Sequence, residues 1–271
     1  MADPAKIAEH VKDADFFELP FKTHIYIPQP FEAMGLKLHL SKFMVLELVA
    51  AVLMLVIFIP LAHRIRKGDI PRGRFWNMFE AMLLFVRDKM VRPAIGHDAD
   101  RFLPFIWTLF FFILFCNLLG LVPWAGSPTG DFAVTSALAV IAFGTVVGAG
   151  MIKFGPVKFW IGLCPPMELP WPFKIFLVPM ILFIEILGLF IRHLILAIRL
   201  LANMFAGHFV LAVIMAFIAD CAASMLWYGV MPASILGATA INMLELFVAF
   251  LHAYIFSFLT ALFIGMAIHQ H

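Results

Sequence analysis

A permanent positive charge lies within one of the most apolar stretches of this chain. Residues 197–208 read AIRLLANMFAGH and include Arg199, Asn203 and His208. An arginine at the centre of a membrane helix costs about 3 kcal/mol on insertion scales, so its presence needs a reason. Because a guanidinium stays protonated at physiological pH, Arg199 cannot pass protons itself. It can repel protons along a path and hold a passing carboxylate in its ionised form.

Helical periodicity of about 100° per residue relates other polar residues to this arginine. Glu185, Arg192 and Arg199 are spaced by seven and share one helix face. Asn203 stays close to that face, whereas His208, nine positions beyond Arg199, lies on the opposite side.

A second polar set occurs in the last apolar segment. Glu245 and His252 are seven apart and share a face, with Asn242 one turn before Glu245. Histidine titrates near neutrality, and a carboxyl group in a low-dielectric site can titrate in the same range. His208, Glu245 and His252 are therefore the candidates to carry protons. A lone histidine in a helical bundle is more often simply hydrogen-bonded, so the hypothesis depends on the combination with Arg199.

A structural explanation competes with proton transport. An ion pair with Glu185 or Glu245, or extension of the side chain to the membrane interface, would also accommodate a buried arginine. For Arg192, which is nearer the predicted cytoplasmic side, we favour this explanation. It is weaker for Arg199, because no acidic residue lies three or four positions away. Its partner must come from the other long helix or from another subunit.

Composition assigns the chain to a class. It is 63% hydrophobic and 13% charged and contains 31 phenylalanines, well outside the range of soluble globular domains. Several apolar runs reach the roughly 20 residues that cross a bilayer, and no alternating segments typical of a barrel occur. We therefore predict an all-α, polytopic membrane protein. The three cysteines show no paired spacing, so neither a metal site nor a disulfide is predicted. The N-terminus has no features of a secretory signal.

The elements follow from the apolar pattern. We expect residues 1–42 to form a segment on the outer side and residues 43–271 to form one integral membrane domain. Within it the pattern predicts spans at about 43–62, 102–123 and 132–152, a membrane-interface helix at about 74–92, and long helices at about 173–218 and 232–269.

The two last helices are too long for an upright span. A helix of about 45 residues measures roughly 68 Å, against about 30 Å of hydrocarbon. Each is either steeply tilted or broken into two spans, with GLFIRHL, residues 188–194, as the rival break in the first. We favour tilted helices, because that stretch has one glycine and no cluster of turn residues.

Basic residues predict the orientation. The loop from His63 to Arg101 carries nine lysines and arginines, whereas the loop at 124–131 carries none. The 63–101 and 153–174 loops are thus expected in the cytoplasm, with the N-terminus outside and the C-terminus inside. Lys37 and Lys42 oppose this assignment but are outnumbered.

Four segments together resemble a known family. IRLLANMFAGH (198–208), LELFVAFLHAYIFSFLTALF (244–263), LPFIWTLFFFILFCNLLGLVP (103–123) and FIEILGLFIR (183–192) are similar to subunit a of the rotary ATP synthase, the stator of its membrane sector. The similarity covers roughly residues 60–271 in order. It implies a chain without a catalytic centre or cofactor of its own, which couples proton flow to ATP synthesis through two half-channels that load and unload a carboxylate on a rotating ring of c subunits.

The resemblance also implies roles for individual residues. Arg199 matches the essential arginine between the half-channels, Asn203 a channel asparagine, His208 and Glu245 a histidine–glutamate pair, and Glu185 an acid of the inner half-channel. The accessory candidates are Arg192, Asn242 and Asp220. Two positions depart from the family pattern: His252 stands where glutamine is usual, and His193 where proline is common. A titratable His252 would either join the relay or, when protonated, add a second positive charge near Arg199.

Partners and location follow from the same resemblance. It implies the c-ring, against which the long tilted helices pack, and the peripheral-stalk b subunits, besides protons and the lipid bilayer, with no nucleic acid. The expected location is the inner membrane of a bacterial cell; the alternative is the mitochondrial inner membrane.

Three other functions remain in competition. A secondary transporter that uses Arg199 to bind an anionic substrate predicts an internal repeat and broken helices, neither of which the sequence shows. A haem-binding subunit needs paired histidines on facing helices, but only His193 and His208, fifteen apart, come near this pattern. A purely structural subunit would use its polar residues as packing contacts.

Overall fold

The computed structural model describes most of the chain from residue 41 onward. The described ranges are 16–19, 23–26, 32–33, 36–37, 41–68, 73–122, 126–163, 171–221 and 224–269. For the ranges before residue 41, and for residues 171–175, 208 and 219, only the backbone is described.

Helices make up nearly all of the described chain. They are α1 (Lys42–Arg66), α2 (Arg74–Phe85), α3 (Arg92–Ile95), α4 (Ala99–Gly120), α5 (Phe132–Phe154), α6 (Pro156–Gly162), α7 (Trp171–Asp220) and α8 (Trp227–Ile268). A π-helical turn, Val86–Val91, joins α2 to α3. Within the described ranges, five helical segments are long and apolar enough to cross a membrane, and one of them runs from Arg74 to Gly120. The prediction of a polytopic helical membrane protein is confirmed.

The N-terminal segment differs from the sequence-based expectation, which placed no strands there. Phe16–Leu19 pairs antiparallel with Thr23–Tyr26, and Glu32–Ala33 pairs antiparallel with Leu36–Lys37. Phenylalanine, threonine, isoleucine and tyrosine in the first hairpin favour strands, but each run is shorter than the windows in which periodicity is read. These hairpins are the only strands in the part of the chain that the structure describes.

The two C-terminal helices are continuous. Helix α7 contains 50 residues and α8 contains 42, so the prediction of unbroken helices is confirmed. Pro179 lies inside α7 without ending it, as membrane helices tolerate when neighbouring groups satisfy the freed carbonyl. At 1.5 Å per residue these helices are roughly 75 Å and 63 Å long, about twice the hydrocarbon thickness.

The chain divides into two compact units. The first comprises residues 1–67, 111–134 and 200–253. Its buried side chains include Phe111, which lies 4.4 Å from Phe58 between ring centroids. Lys42, at the start of α1, is also buried, with its ammonium group beside the backbone of Gly126. Because Lys42 is buried, it does not act as a freely solvated loop charge.

The second unit comprises residues 68–110, 135–199 and 254–271. Two polar contacts bring three chain segments to one end of it. Lys153, near the end of α5, forms an ion pair with Asp98 at 2.7 Å. His269 donates from Nε2 to the carbonyl of Ile95 at 3.0 Å. The segment before α4, the end of α5 and the end of α8 therefore lie together.

Close backbone packing at Gly265 generates a stability prediction. A β-carbon on Gly265 would overlap the carbonyl oxygen of Ala94, which cannot move aside as a flexible side chain could. Gly265→Ala should therefore lower the free energy of unfolding by about 1–3 kcal/mol, despite the better helix propensity of alanine. The measurement is the melting temperature of the purified protein in detergent.

Gly229→Ala on the same helix is the matched control. A β-carbon there meets no atom within 4 Å, so this variant should melt at the wild-type temperature or higher. Equal melting temperatures for Gly265→Ala and Gly229→Ala would contradict the packing argument.

Candidate functional site

Arg199 lies on the surface of the chain, near the middle of α7. Its neighbours Ile195 and Ile198 on the same helix are about half exposed, so the charge lies within an apolar surface. Among the described residues, no carboxylate lies within ion-pairing distance of its guanidinium. A cation in such a place needs water, a headgroup or a carboxylate from another chain.

Glu245 has the opposite environment. Its side chain is 6% exposed and lies against the backbone of Gly207, so that a β-carbon on Gly207 would overlap a carboxyl oxygen and come within 2.9 Å of Cδ. The absence of a side chain at Gly207 thus creates the space for the carboxyl group. This contact places Glu245 at the turn of α7 that carries His208, whose own side chain lies outside the described part of the structure.

The second oxygen of this carboxyl group is unsatisfied. Glu245 Oε2 is buried and has no hydrogen-bond partner among the side chains and backbone that the structure describes. Leaving an ionised carboxylate in this condition is costly. A proton, or a donor from outside the described residues, must therefore satisfy it, which is a suitable arrangement for a group that receives protons.

His252 lies two turns beyond Glu245 on α8. It is 8% exposed, and its Nδ1 donates to the carbonyl of Val248, one turn earlier, at 3.0 Å. Since a carbonyl can only accept, this bond leaves Nε2 as the basic nitrogen of the neutral ring. Glu245 and His252 both belong to the buried stripe of α8, together with Ala249 and Phe256.

The remaining predicted residues lie in more open places. Asn203 and Glu185 on α7 are half-buried, whereas Arg192, Asn242 and Asp220 are exposed. Within the described ranges, Glu185 and Arg192 form no ion pair. The structure thus brings Glu245 to the turn of α7 at residues 207–208, and among the described residues it shows no carboxylate in an ion pair with Arg192 or Arg199.

Comparison with known proteins gives the family. The profile of the ATP synthase A chain matches residues 44–265. ATP synthase subunit a of Chloroherpeton thalassium is 35% identical over 98% of this chain and 78% of the relative. The same subunit of Myxococcus xanthus is 39% identical over 87% of this chain and 76% of its own. ATP synthase subunit a 2 of Chlorobaculum tepidum is 36% identical over 96% and 72%.

The chain belongs to the ATP synthase A chain family. This membership confirms the resemblance drawn from the four sequence segments. The matched region contains all nine candidate residues of the proton path, since they lie between Glu185 and His252.

Asn117 is a buried polar residue that the sequence analysis missed. Its side-chain amide donates to the carbonyl of Ala249 at 3.2 Å, one turn beyond Glu245 on α8. Its Oδ1 accepts from the hydroxyl of Thr129 at 2.7 Å, and Thr129 in turn is 2.8 Å from the Ser127 hydroxyl. The three side chains are almost completely buried. In this member of the family the network therefore connects α4, the 127–129 turn and the helix that carries Glu245.

A signal for Asn117 was present in the sequence. It is the only amide side chain in the apolar run 102–123, and an amide in such a run needs hydrogen-bond partners. Periodicity could not identify those partners, because Ala249 lies 132 positions away.

His193 has a packing role in the structure. Its ring centroid is 5.3 Å from that of Phe143 and 5.1 Å from that of Phe263, and the residue is 3% exposed. Nδ1 donates to the carbonyl of Leu189 at 2.9 Å. The imidazole thus fills the space between rings of α5 and α8 within the second unit.

The Asn117 network generates a prediction. Asn117→Ala removes the donor to Ala249 and the acceptor of Thr129, and it leaves both groups buried. We expect the free energy of unfolding to fall by about 1–3 kcal/mol, read from the melting temperature in detergent.

Thr108→Val on the same helix serves for comparison. Its hydroxyl is exposed and donates only to the carbonyl of Pro104 in its own helix, at 2.8 Å. This variant should melt close to the wild type; a comparable loss in both would show that the network has no particular importance.

Proposed function

We propose that this chain is the proton-conducting stator subunit of an ATP synthase membrane sector. Arg199 carries the proposal: it is a permanent charge on the surface of a continuous apolar helix, without a carboxylate among the described residues. A carboxylate on a ring of c subunits, moving past α7, would supply the missing partner. Membership of the ATP synthase A chain family supports this assignment.

The proposed path separates proton transfer from charge exclusion. Protons from the outer side reach Glu245, near His208 and Asn203, and pass to the ring carboxylate. The ring then rotates, and the carboxyl group gives up its proton on the inner side, where Glu185 lies on the same helix as Arg199. Arg199 favours the ionised ring carboxylate and repels protons, so it prevents direct leakage between the two sides.

The energy scale makes this barrier necessary. Each proton that crosses a potential of 100 mV releases about 2.3 kcal/mol. Several protons must act together to drive one synthesis, and a leak would dissipate that energy. A fixed guanidinium between two hydrated paths is a physical means to prevent it.

We assign accessory roles to the remaining residues. His252 shares the buried stripe of α8 with Glu245 and can exchange a proton at Nε2. We assign Asn242 and Asp220 to the access of protons from the outer side. Asn242 lies on α8 one turn before Glu245, and Asp220 lies at the end of α7. Arg192 is assigned the structural or interfacial role favoured from the sequence.

The predicted orientation has support within the second unit. The contacts of Lys153 with Asp98 and of His269 with Ile95 bring the 63–101 loop, the start of the 153–174 loop and the C-terminus to one end. The basic-residue count assigned these three segments to one side, the cytoplasm.

We propose a bacterial inner membrane as the location, and peripheral-stalk b subunits as further partners. The continuous helices α7 and α8 count against a secondary transporter, which needs interrupted ones.

Arg199→Ala should abolish ATP-driven proton pumping by the reconstituted complex, because nothing would then hold the ring carboxylate ionised or exclude protons. The measurement is acidification of vesicles with a fluorescent dye. Lys158→Gln, which removes an exposed cation of α6, should pump like the wild type. Full pumping by Arg199→Ala would refute the proposed role.

Glu245→Gln should slow passive proton flux on the order of a hundredfold, since the amide cannot relay a proton, while the complex still assembles. Gly207→Ala should also slow the flux, because the new β-carbon displaces the carboxyl group. Gly229→Ala, with open space around it, should conduct normally. Unchanged flux in Glu245→Gln would remove this residue from the path.

A further inference from the structure

The second unit contains a cavity of about 380 Å³ that the proposed proton path does not use. It lies where α4 begins and where α5 and α8 end, which is the level of a membrane–water interface for helices that span. Its lining comprises Asp98, Arg101, Phe102, Thr145, Gly148, Ala149, Ile152, Lys153 and Ile268.

The charges of this cavity favour a single anion. Lys153 is paired with Asp98 at 2.7 Å. Arg101 forms no ion pair with any described residue, and its guanidinium lies 6.0 Å from the centre of the Phe102 ring. Two cations and one carboxylate leave the lining with one positive charge in excess. A phosphodiester, with one negative charge, complements it.

The rest of the cavity is apolar and continues along one face of α5. Ile152, Gly148, Thr145 and Ile141 follow helical spacing, and Ile152 and Ile141 are 71% and 53% exposed. A β-carbon on Gly144 or Gly148 would meet no atom within 4 Å, so the face is open. The Thr145 hydroxyl already donates to the Ile141 carbonyl at 2.8 Å and needs no further partner.

We propose that this cavity binds an anionic glycerophospholipid. The phosphate lies against Arg101, with Lys153 beside it, and an acyl chain follows the open face from Ile152 toward Ile141. A basic mouth above an apolar groove, at the end of membrane helices, is the arrangement that recognises lipid headgroups. A free phosphate would satisfy Arg101 but leave the groove empty, whereas a helix of another subunit would fill the groove but not complement the charge. The site does not depend on proton conduction.

The test measures lipids retained by the intact membrane-sector complex. The complex is exchanged in detergent against equal amounts of phosphatidylglycerol and phosphatidylcholine, and bound lipid is counted by native mass spectrometry. We expect the wild type to prefer phosphatidylglycerol about fivefold, the effect of one cation near an anionic headgroup. Arg101→Gln should remove this preference, and Lys158→Gln, which removes a cation outside the cavity, should keep it. Equal retention of both lipids by the wild type would overturn the proposal.

Steric variants test the groove separately from the charge. Gly148→Leu should reduce retention of both lipids, whereas Gly148→Ala should retain them like the wild type. Unchanged lipid with loss of another subunit in Gly148→Leu would show that a protein helix occupies the groove. Displacement of phosphatidylglycerol by millimolar inorganic phosphate, with equal retention of the lipid by Gly148→Leu and the wild type, would show an anion site to which the acyl chain contributes nothing. Either result would refute the proposed acyl-chain groove. The proposed function is tested separately, by proton pumping of the Arg199 variant, which leaves this cavity unchanged.

Discussion

The structure depends on one constraint: a guanidinium that cannot lose its proton stands on an apolar helix surface. Hydrocarbon offers no partner, and the described residues offer no carboxylate to Arg199. The charge can persist only where water or another chain meets this surface. An ion pair within the chain would neutralise the arginine permanently, and a neutralised arginine could no longer respond to a passing carboxylate. The lack of a paired carboxylate among the described residues therefore fits a function that requires temporary pairing.

Other polar side chains in the helices find hydrogen-bond partners in a different way. Several donate to the carbonyl one turn earlier in their own helix: Thr108, Thr145, His193, Thr239, His252 and Thr260. These bonds need no tertiary contact, so such residues can occur on any helix face. A carboxylate cannot donate to a carbonyl, and Glu245 therefore depends on what surrounds it. The space beside Gly207 accommodates the carboxyl group of Glu245, so helix packing is connected directly to the chemistry of that group. The Asn117 bond to Ala249 lies one turn further along the same helix.

Much of the fold and of the candidate site followed from the sequence. Composition and apolar run length predicted the membrane class. The lack of a cluster of turn residues predicted an unbroken helix at about 173–218, and the structure has one from Trp171 to Asp220. Arg199 and Glu245 stood out because charge is costly in apolar segments. The first hairpin was missed because strand runs of four residues carry little periodic signal. Asn117 and Gly207 were missed because their importance lies in contacts with residues of α8, which no local pattern reveals.

The sequence by itself determined which side chains are present and how they are spaced along each helix, because helical geometry is local and repeats every few residues. It determined that a fixed cation, a carboxyl group and histidines lie in apolar helices, and that these motifs belong to a known family. Only the tertiary structure decided which of these groups are buried and what lies beside them. Three features depend on helices that are distant in sequence: Arg199 is exposed, Glu245 is buried against Gly207, and His193 packs between two phenylalanine rings. The packing of these helices is set by side-chain shape summed over many contacts.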